Sequence, residues 1–203
     1  MTKSKPEILT VIVTNRLVCP EPLPLRLRKI ARSRPDFAVL REPDLDDARY
    51  AALARECADA LGDVPLIFHS HPRAAAELGA EFAWLPFPER GRVLPRGVKK
   101  IISVHNAEEA KIADDSGAAQ IVAGNIFETP CKPGAPARGL DFLREIAEAV
   151  SRPVWAIGGI TPDNARKCAA AGAAGVCVMT SAMTSRDPEN LVAELKAKLK
   201  GWR

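Results

Sequence analysis

Two glycines and two hydroxyl residues near the end of the chain carry the clearest chemical signal in the sequence. Gly158 and Gly159 close an apolar run and precede Thr161-Pro162-Asp163, which offers the cap residue and the proline typical of a helix start. Thr180 and Ser181 close the last apolar run. Glycine lets a ligand approach backbone N–H groups closely, and such groups at helix starts bind anions. The pattern predicts a phosphate site. The alternative interpretation is that the glycines only permit tight turns.

A second signal is the segment 125–139, which contains three prolines and two glycines and is therefore predicted to be neither helix nor strand. Thr129, Cys131 and Lys132 within it supply a hydroxyl, a thiol and an ammonium group. These groups suit a loop that closes over a bound anion, as lids do. A plain surface loop fits the composition equally well.

Charged and titratable residues end several other apolar runs. Arg41 and Glu42 close a run where a charge is costly unless it is paired or faces an open end, and arginine suits a phosphate or carboxylate. One residue separates His69 from His71, so on a strand both side chains face the same way, and two such histidines can bind a metal ion together. No third ligand has a suitable spacing, which favours a neutral structural or ligand-facing histidine. His105 precedes Asn106, a good helix cap, and is predicted to serve packing or capping.

Eight short apolar runs must position these residues. They are continuous rather than alternating, which is typical of parallel strands covered on both faces. They span 8–14, 37–42, 65–70, 82–86, 100–104, 120–124, 154–159 and 175–180. Amphipathic segments lie between or after them, most clearly at 44–62, 107–117, 139–150, 161–172 and 188–200.

Three Gly-Ala pairs, which begin at Gly79, Gly117 and Gly172, each close an alanine-rich segment just before a strand, as helix ends do. Eight strands with seven or more crossover helices predict an α/β fold, the (β/α)₈ TIM barrel, whose active sites lie at the carboxyl ends of the strands. No G-x-G-x-x-G motif follows the first strand, which argues against an open dinucleotide-binding sheet.

Composition limits the class of protein. The 203 residues are predicted to form a single domain, 1–203, and 47% hydrophobic with 27% charged residues is typical of a globular protein. No apolar run is long enough to span a bilayer and no leader pattern is present, so we expect a cytoplasmic protein that binds no membrane. Five scattered cysteines predict reduced thiols. The basic stretch from Arg26 to Arg34 has helical spacing and few aromatics near it, which predicts a solvated helix face and no nucleic-acid partner.

Six segments together resemble the thiamin phosphate synthase and TenI superfamily, and they cover nearly the whole chain. They are VTNR (13–16), LRE (40–42), ISVHNAEEA (102–110), GNIFETPCKPGAPARGL (124–140), VWAIGGITPDNA (154–165) and AGAAGVCVMTSA (171–182). The resemblance implies a barrel that binds a small molecule, a thiazole phosphate or thiamin phosphate, with the phosphate after strands 7 and 8. It also implies a homodimer.

One activity of the superfamily joins a hydroxymethylpyrimidine diphosphate to a thiazole phosphate with Mg²⁺, which neutralises the departing diphosphate. Its pattern is matched here at Arg41, Ser103, Thr129, Lys132 and Gly159. The sequence departs from it in two places. Pro43 replaces a lysine that binds the diphosphate, and His69-Ser70 replaces an Asn-Asp pair that includes a magnesium carboxylate. Glu89 stands where a second metal carboxylate belongs.

The TenI type converts a thiazole phosphate carboxylate to its aromatic tautomer with a histidine at the end of strand 6. The segments Leu85-Pro86, Phe127–Thr129 and Cys131-Lys132 match that pattern, whereas Asn125 stands at the histidine position. An amide does not titrate near neutral pH, so His69 or His71 is the alternative proton carrier.

The sequence therefore predicts a superfamily member nearer to TenI that binds and acts on a thiazole phosphate. A synthase that uses Mg²⁺ and a binding protein without catalysis are the alternatives, and no other cofactor is implied. The predicted catalytic residues are Asn125, Lys132, Arg41 and His69. The predicted phosphate-binding residues are Gly158, Gly159, Thr180 and Ser181, the predicted substrate-binding residues are Ser103, Thr129, Cys131 and Glu42, and the predicted metal ligand is Glu89.

Overall fold

Eight parallel strands close into a barrel in the order of the chain, β1-β2-β3-β4-β5-β6-β7-β8. The computed structural model describes residues 7–131, 134 and 136–202. The strands are β1 Leu9–Val13, β2 Phe37–Leu40, β3 Leu66–His69, β4 Phe82–Leu85, β5 Lys99–Val104, β6 Gln120–Gly124, β7 Val154–Ile157 and β8 Gly175–Val178. The predicted TIM barrel is confirmed, and each strand lies within one residue of its predicted apolar run or inside it.

Helices cover the outside of the barrel. They are α1 Leu23–Ala31, α2 Asp47–Leu61, α3 Pro72–Glu77, α4 Ala107–Asp115, α5 Gly139–Ala149, α6 Ala165–Ala170, α7 Thr180–Thr184 and α8 Pro188–Leu199. The connection from β4 to β5 differs, because it holds only the short 3₁₀ helix Phe87–Glu89. That side of the barrel mouth is therefore formed by a loop.

The three Gly-Ala pairs end helices as predicted. Gly79, Gly117 and Gly172 have φ values of +69°, +80° and +96°, in the left-handed region that favours glycine. In each pair the alanine N–H donates to the carbonyl five residues earlier, at 2.8 to 3.2 Å. These bonds complete the helix end and turn the chain into the next strand.

Aromatic side chains fill the barrel near the amino ends of the strands. The ring centroids of Phe37 and Phe82 are 5.9 Å apart, and those of Phe37 and Trp155 are 5.7 Å apart. Gly175 makes room for this indole, since a Cβ there would lie 2.7 Å from its Cδ1 atom. The barrel is thus a packed core at the amino ends of its strands, and the open space lies at their carboxyl ends.

The basic stretch only partly follows its prediction. Arg28, Arg32 and Arg34 are not buried, but Arg26 is 2% exposed, so the prediction of a fully solvated face was wrong at this residue. Its Nε atom lies 2.9 Å from Glu21 Oε1, and a terminal N–H donates to the Ser185 carbonyl. Pairing makes the burial of this charge tolerable.

Of the described helices, none has the length and apolarity needed to cross a membrane.

Candidate functional site

A cavity of about 710 Å³ opens at the carboxyl ends of the strands. Its wall includes a residue from, or directly after, nearly every strand, as expected for this fold. The predicted residues that line it are Arg41, His69, Ser103, Asn125, Thr129, Cys131, Gly158, Gly159, Thr180 and Ser181. Lys132 lies outside the described residues.

The ends of β7 and β8 form one side of this cavity. Gly158 and Gly159 have φ values of +103° and +63°, and their N–H groups have no hydrogen-bond partner in the described part of the chain. Thr180 and Ser181 begin α7, where the first N–H groups lack partners within the helix. Free N–H groups and hydroxyls at this place are suited to a phosphate.

The predicted helix start after Gly159 was wrong in its position. Helix α6 begins at Ala165 rather than at Pro162, and residues 161–164 form a turn. Asn164 closes that turn, because its Oδ1 accepts from the Thr161 N–H at 2.8 Å and its Nδ2 donates to the Gly159 carbonyl at 2.9 Å. The Thr161 N–H is therefore not available to a ligand.

The loop after β6 packs directly on the glycine pair. The Ile126 N–H donates to the Ile157 carbonyl and the Phe127 N–H donates to the Gly158 carbonyl, at 2.9 and 3.0 Å. A Cβ on Gly158 would lie 2.5 Å from Asn125 Cβ. The glycines thus have a packing role in addition to the exposed N–H groups, and the two interpretations of the sequence are compatible.

The same loop reaches across the cavity mouth to α7. Cys131 Sγ and Thr180 Oγ1 are 2.7 Å apart in a hydrogen bond, although these residues are 49 positions apart in the chain. Asn125, at the base of the loop, is 5% exposed and donates weakly to the Phe127 carbonyl at 3.4 Å. Residues of this loop therefore lie over the phosphate side of the cavity, as the lid hypothesis requires.

Arg41 faces the cavity, and its side chain has no hydrogen-bond partner among the described residues. Glu42 does not line the cavity, so the predicted substrate contact is not supported by its position. Its buried carboxylate accepts from the Thr14 hydroxyl at 2.7 Å and from the Arg16 N–H at 3.1 Å, and Arg16 also pairs with Asp44. Glu42 is instead a positioning residue that ties the loops after β1 and β2 together.

Thr14 joins this network to Arg41, and sequence reasoning missed it because a threonine in an apolar strand is common. Its hydroxyl donates to Glu42 and accepts from the Arg41 N–H at 2.9 Å. We expect Thr14→Val to lower the free energy of unfolding by about 2 to 4 kcal/mol, because it leaves a buried carboxylate and an N–H without this partner. Urea unfolding measures the change.

The matched control for this substitution is Thr184→Val, which removes a hydroxyl that donates to the Thr180 carbonyl at an exposed position. A change within about 0.5 kcal/mol is expected there. Equal losses in the two variants would contradict a special role for the Thr14 network.

His69 and His71 do not face the same way, so the expectation that their spacing places them on one face of a strand was wrong. Ser70 between them has φ +64°, which ends the strand alternation. His69 lines the cavity, whereas His71 stacks on Tyr50 at 3.7 Å between ring centroids and binds Asp47 at 2.8 Å. Of these two histidines, only His69 is therefore placed to contact a ligand in the cavity.

The environment of His69 keeps its imidazole neutral. Burial, followed by the nearby Arg41 charge and by His71, lowers its pKa from 6.5 to about 4. The unfolded chain therefore binds a proton between these values that the folded chain does not, and stability falls as pH decreases from 6.5 to 4. We expect this group to remove about 3 kcal/mol of the free energy of unfolding by pH 4.

This acid sensitivity is measured by urea unfolding at pH 7 and pH 4 in the parent chain, His69→Asn and His71→Asn. The pH-dependent loss is expected to decrease by about 3 kcal/mol in the His69 variant only. An equal loss of the free energy of unfolding between pH 7 and pH 4 in the parent chain and in His69→Asn would contradict the low pKa of His69.

Several other residues complete the wall. Trp84 was not predicted as a site residue, because an indole in an apolar strand is expected to be part of the core. Its Nε1 donates to Ser103 Oγ at 2.7 Å beside the cavity. His105 also lines the cavity, and the Asn106 side chain caps α4 by accepting from the Glu109 N–H, as predicted. Glu89 does not line the cavity and pairs with Arg92 at 2.8 Å. Its predicted role as a metal ligand therefore has no geometric support.

Comparisons with known proteins identify the family of this chain. A family model described as "Thiamine monophosphate synthase" matches residues 9–182. A thiamine-phosphate synthase of Roseiflexus sp. is 35% identical over 168 residues, which are 78% of this chain and 70% of that protein. One of Thermus thermophilus is 35% identical over 158 residues, which are 75% and 74% of the two chains.

A solved structure has the same fold. The thiamine phosphate pyrophosphorylase of Pyrococcus furiosus superposes with a TM-score of 0.82 over 95% of this chain and 96% of that one, at 24% identity. The two relatives above are named for the synthase and not for TenI. The comparisons thus support the broad superfamily assignment and do not support the narrower prediction of a place nearer to TenI.

Proposed function

Because the chain belongs to the thiamine monophosphate synthase family, we propose that it joins a hydroxymethylpyrimidine diphosphate to a thiazole phosphate. The products are thiamin phosphate and diphosphate. The observation that carries this proposal is the cavity side formed by Gly158, Gly159, Thr180 and Ser181, over which the loop after β6 is hydrogen-bonded. Both parts lie within the residues that match the family.

The site residues suit the two steps of such a reaction. Backbone N–H groups and hydroxyls at the ends of β7 and β8 hold the phosphate and so orient the thiazole ring nitrogen. That nitrogen forms a bond to the pyrimidine methylene carbon while the carbon–oxygen bond to the diphosphate breaks. The unpaired guanidinium of Arg41 lies in the same cavity and stabilises the negative charge of the leaving group.

Magnesium was predicted for this activity, so the donor groups matter. The described residues contain no cluster of three or more His, Cys, Asp or Glu side chains that could hold a metal ion, and Glu128 is the one carboxylate residue in the described cavity wall. These residues do not fit a resident metal site. Because Mg²⁺ often binds through substrate phosphates, we treat it as part of the diphosphate substrate and assign no step to it.

A second candidate is the conversion of a thiazole phosphate to its aromatic tautomer without a diphosphate partner. The observation that favours it is the charge of the cavity wall, where Arg41 is the one lysine or arginine among the described residues. That charge is small for a phosphate and a diphosphate together. His69 and His105 are the two histidines in this wall, and an imidazole suits a proton transfer.

The deciding experiment is a condensation assay with hydroxymethylpyrimidine diphosphate and thiazole phosphate, with and without Mg²⁺. Thiamin phosphate is read as its fluorescent oxidation product. Turnover that depends on Mg²⁺ is the expected result. No turnover in protein that binds thiazole phosphate would overturn the synthase proposal, and proton exchange on a dihydrothiazole phosphate carboxylate would then support the tautomerase.

A further inference from the structure

Trp84 and Ser103 lie on neighbouring strands, and their side chains face the inside of the barrel. Trp84 on β4 is paired in register with Ile101 on β5. Ser103 is two residues beyond Ile101 and therefore points to the same side of the sheet. Trp84 and Ile101 belong to the packed core inside the barrel, whereas Trp84 and Ser103 both line the cavity. The pair thus lies where the core ends and the cavity begins.

The hydrogen bond between these two side chains has only one possible direction. The Trp84 indole has a donor at Nε1 and no acceptor, so Ser103 Oγ must accept across the 2.7 Å between them. The Ser103 hydroxyl proton is therefore not used in this bond. Among the described residues it has no acceptor. Because Ser103 lines the cavity, this proton is available to a ligand there.

The indole itself is held in place. Trp84 is 3% exposed, and its ring lies beside the His69 imidazole, with 5.8 Å between the ring centroids. A buried indole N–H without an acceptor is costly, which favours hydroxyl orientations in which a Ser103 lone pair faces the indole. A hydroxyl that accepts one hydrogen bond is also a stronger donor in the next. Trp84 therefore restricts the rotation of the Ser103 hydroxyl and strengthens it as a donor.

The place of this donor in the barrel indicates the ligand that receives its proton. In a closed barrel of eight strands in chain order, β4 is opposite β8. A thiazole phosphate held at the ends of β7 and β8 leaves the side of β4 and β5 to the second substrate, the pyrimidine diphosphate. Anionic oxygens are strong acceptors for a hydroxyl proton. On that side Pro86 has no N–H, and the Trp84 N–H is already bonded.

We propose that Trp84 is a positioning residue, which holds the Ser103 hydroxyl so that it donates to the pyrimidine diphosphate. This inference rests on the proposed function, because it takes that molecule as a substrate. The indole N–H acts on the substrate only through Ser103. Its effect on binding should therefore disappear when the hydroxyl is removed.

The test is a double-mutant cycle, read by calorimetric titration of the full chain with hydroxymethylpyrimidine diphosphate and Mg²⁺. Ser103→Ala is expected to weaken binding about tenfold, the effect of one hydrogen bond to a charged group. Trp84→Phe is expected to weaken it about fivefold, because the hydroxyl can then rotate among its staggered positions and is less polarised. The two substitutions together are expected to weaken binding about tenfold, no more than Ser103→Ala alone.

Trp155→Phe is the matched control. It truncates another indole inside the barrel, whose Nε1 has no hydrogen-bond partner in the described part of the chain, so unchanged affinity is expected. Urea unfolding checks that every variant is folded. Losses that multiply to about 50-fold in the double variant, or no loss in Trp84→Phe, overturn the inference and leave the proposed function intact. A parent chain that does not bind the pyrimidine diphosphate overturns the proposed function and this inference with it.

A second measurement reads the hydrogen bond in the parent chain, from the indole N–H resonances in ¹H–¹⁵N spectra. When hydroxymethylpyrimidine diphosphate binds, the Trp84 indole proton is expected to move downfield, because Ser103 Oγ becomes a stronger acceptor once its own proton is donated. The Trp155 indole proton has no such bond and is expected to stay in place. A Trp84 resonance that stays in place or moves upfield at saturation overturns the inference.

Discussion

Gly159→Ala is expected to lower the free energy of unfolding by about 2 to 5 kcal/mol and to abolish binding of thiazole phosphate. Gly159 has φ +63°, where a side chain costs about 1 to 2 kcal/mol. A Cβ there would also lie 2.3 Å from the Glu128 carbonyl oxygen and 2.8 Å from Phe127 Cβ. Backbone cannot move aside as a flexible side chain can, so the loop after β6 must shift and the N–H groups beneath it lose their positions.

Gly79→Ala separates the two parts of this effect. Gly79 has a similar φ, +69°, at the helix end that the Ala80 N–H closes, but no atom lies within 4 Å of a Cβ built there. Its substitution is expected to cost only the conformational term of about 1 to 2 kcal/mol and to leave ligand binding unchanged. Urea unfolding and calorimetric titration of both variants give the comparison, and equal costs would show that the packing of the loop on Gly159 is not important.

The sequence predicts the parts of this molecule that depend on local chemistry. Continuous apolar runs identify the strands, and the glycine of each Gly-Ala pair identifies a helix end, because both follow from the residue's own preferences. The fold then places strand ends together at one mouth. For this reason Arg41 and Thr180, which were predicted to share a site, line one cavity although they are far apart in the chain.

The missed features depend on contacts between distant segments. The left-handed conformation of Ser70, which turns His71 away from the cavity, is rare for serine and has no signal in the sequence. Thr14 serves as a bridge only because Glu42 and Arg41 lie beside it, 28 and 27 positions further along the chain. The helix start predicted at Pro162 is instead a turn at 161–164, in which the Asn164 side chain binds the Thr161 N–H and the Gly159 carbonyl.

Arg41→Met is expected to lower kcat/KM for the condensation by about 100- to 1000-fold. Methionine keeps much of the side-chain length and removes the charge. Arg41 is the one lysine or arginine in the described cavity wall, and its guanidinium is not neutralised by any described carboxylate. Its charge is therefore available to the departing diphosphate, where an electrostatic interaction acts mainly on the transition state.

Two further variants make this result specific to the position of the charge. Arg41→Lys keeps the charge but not the bidentate geometry, so an intermediate loss of about tenfold is expected. Arg28→Met removes a charge from the exposed surface of α1 and is expected to leave kcat/KM unchanged. The Arg41 N–H that donates to the Thr14 hydroxyl belongs to the backbone, so this bond survives the substitution. Urea unfolding of each variant, measured beside the kinetics, checks that its fold is intact. A stable Arg41→Met protein with full turnover would mean that the diphosphate charge is stabilised elsewhere, and Arg41 would then be no part of the chemistry.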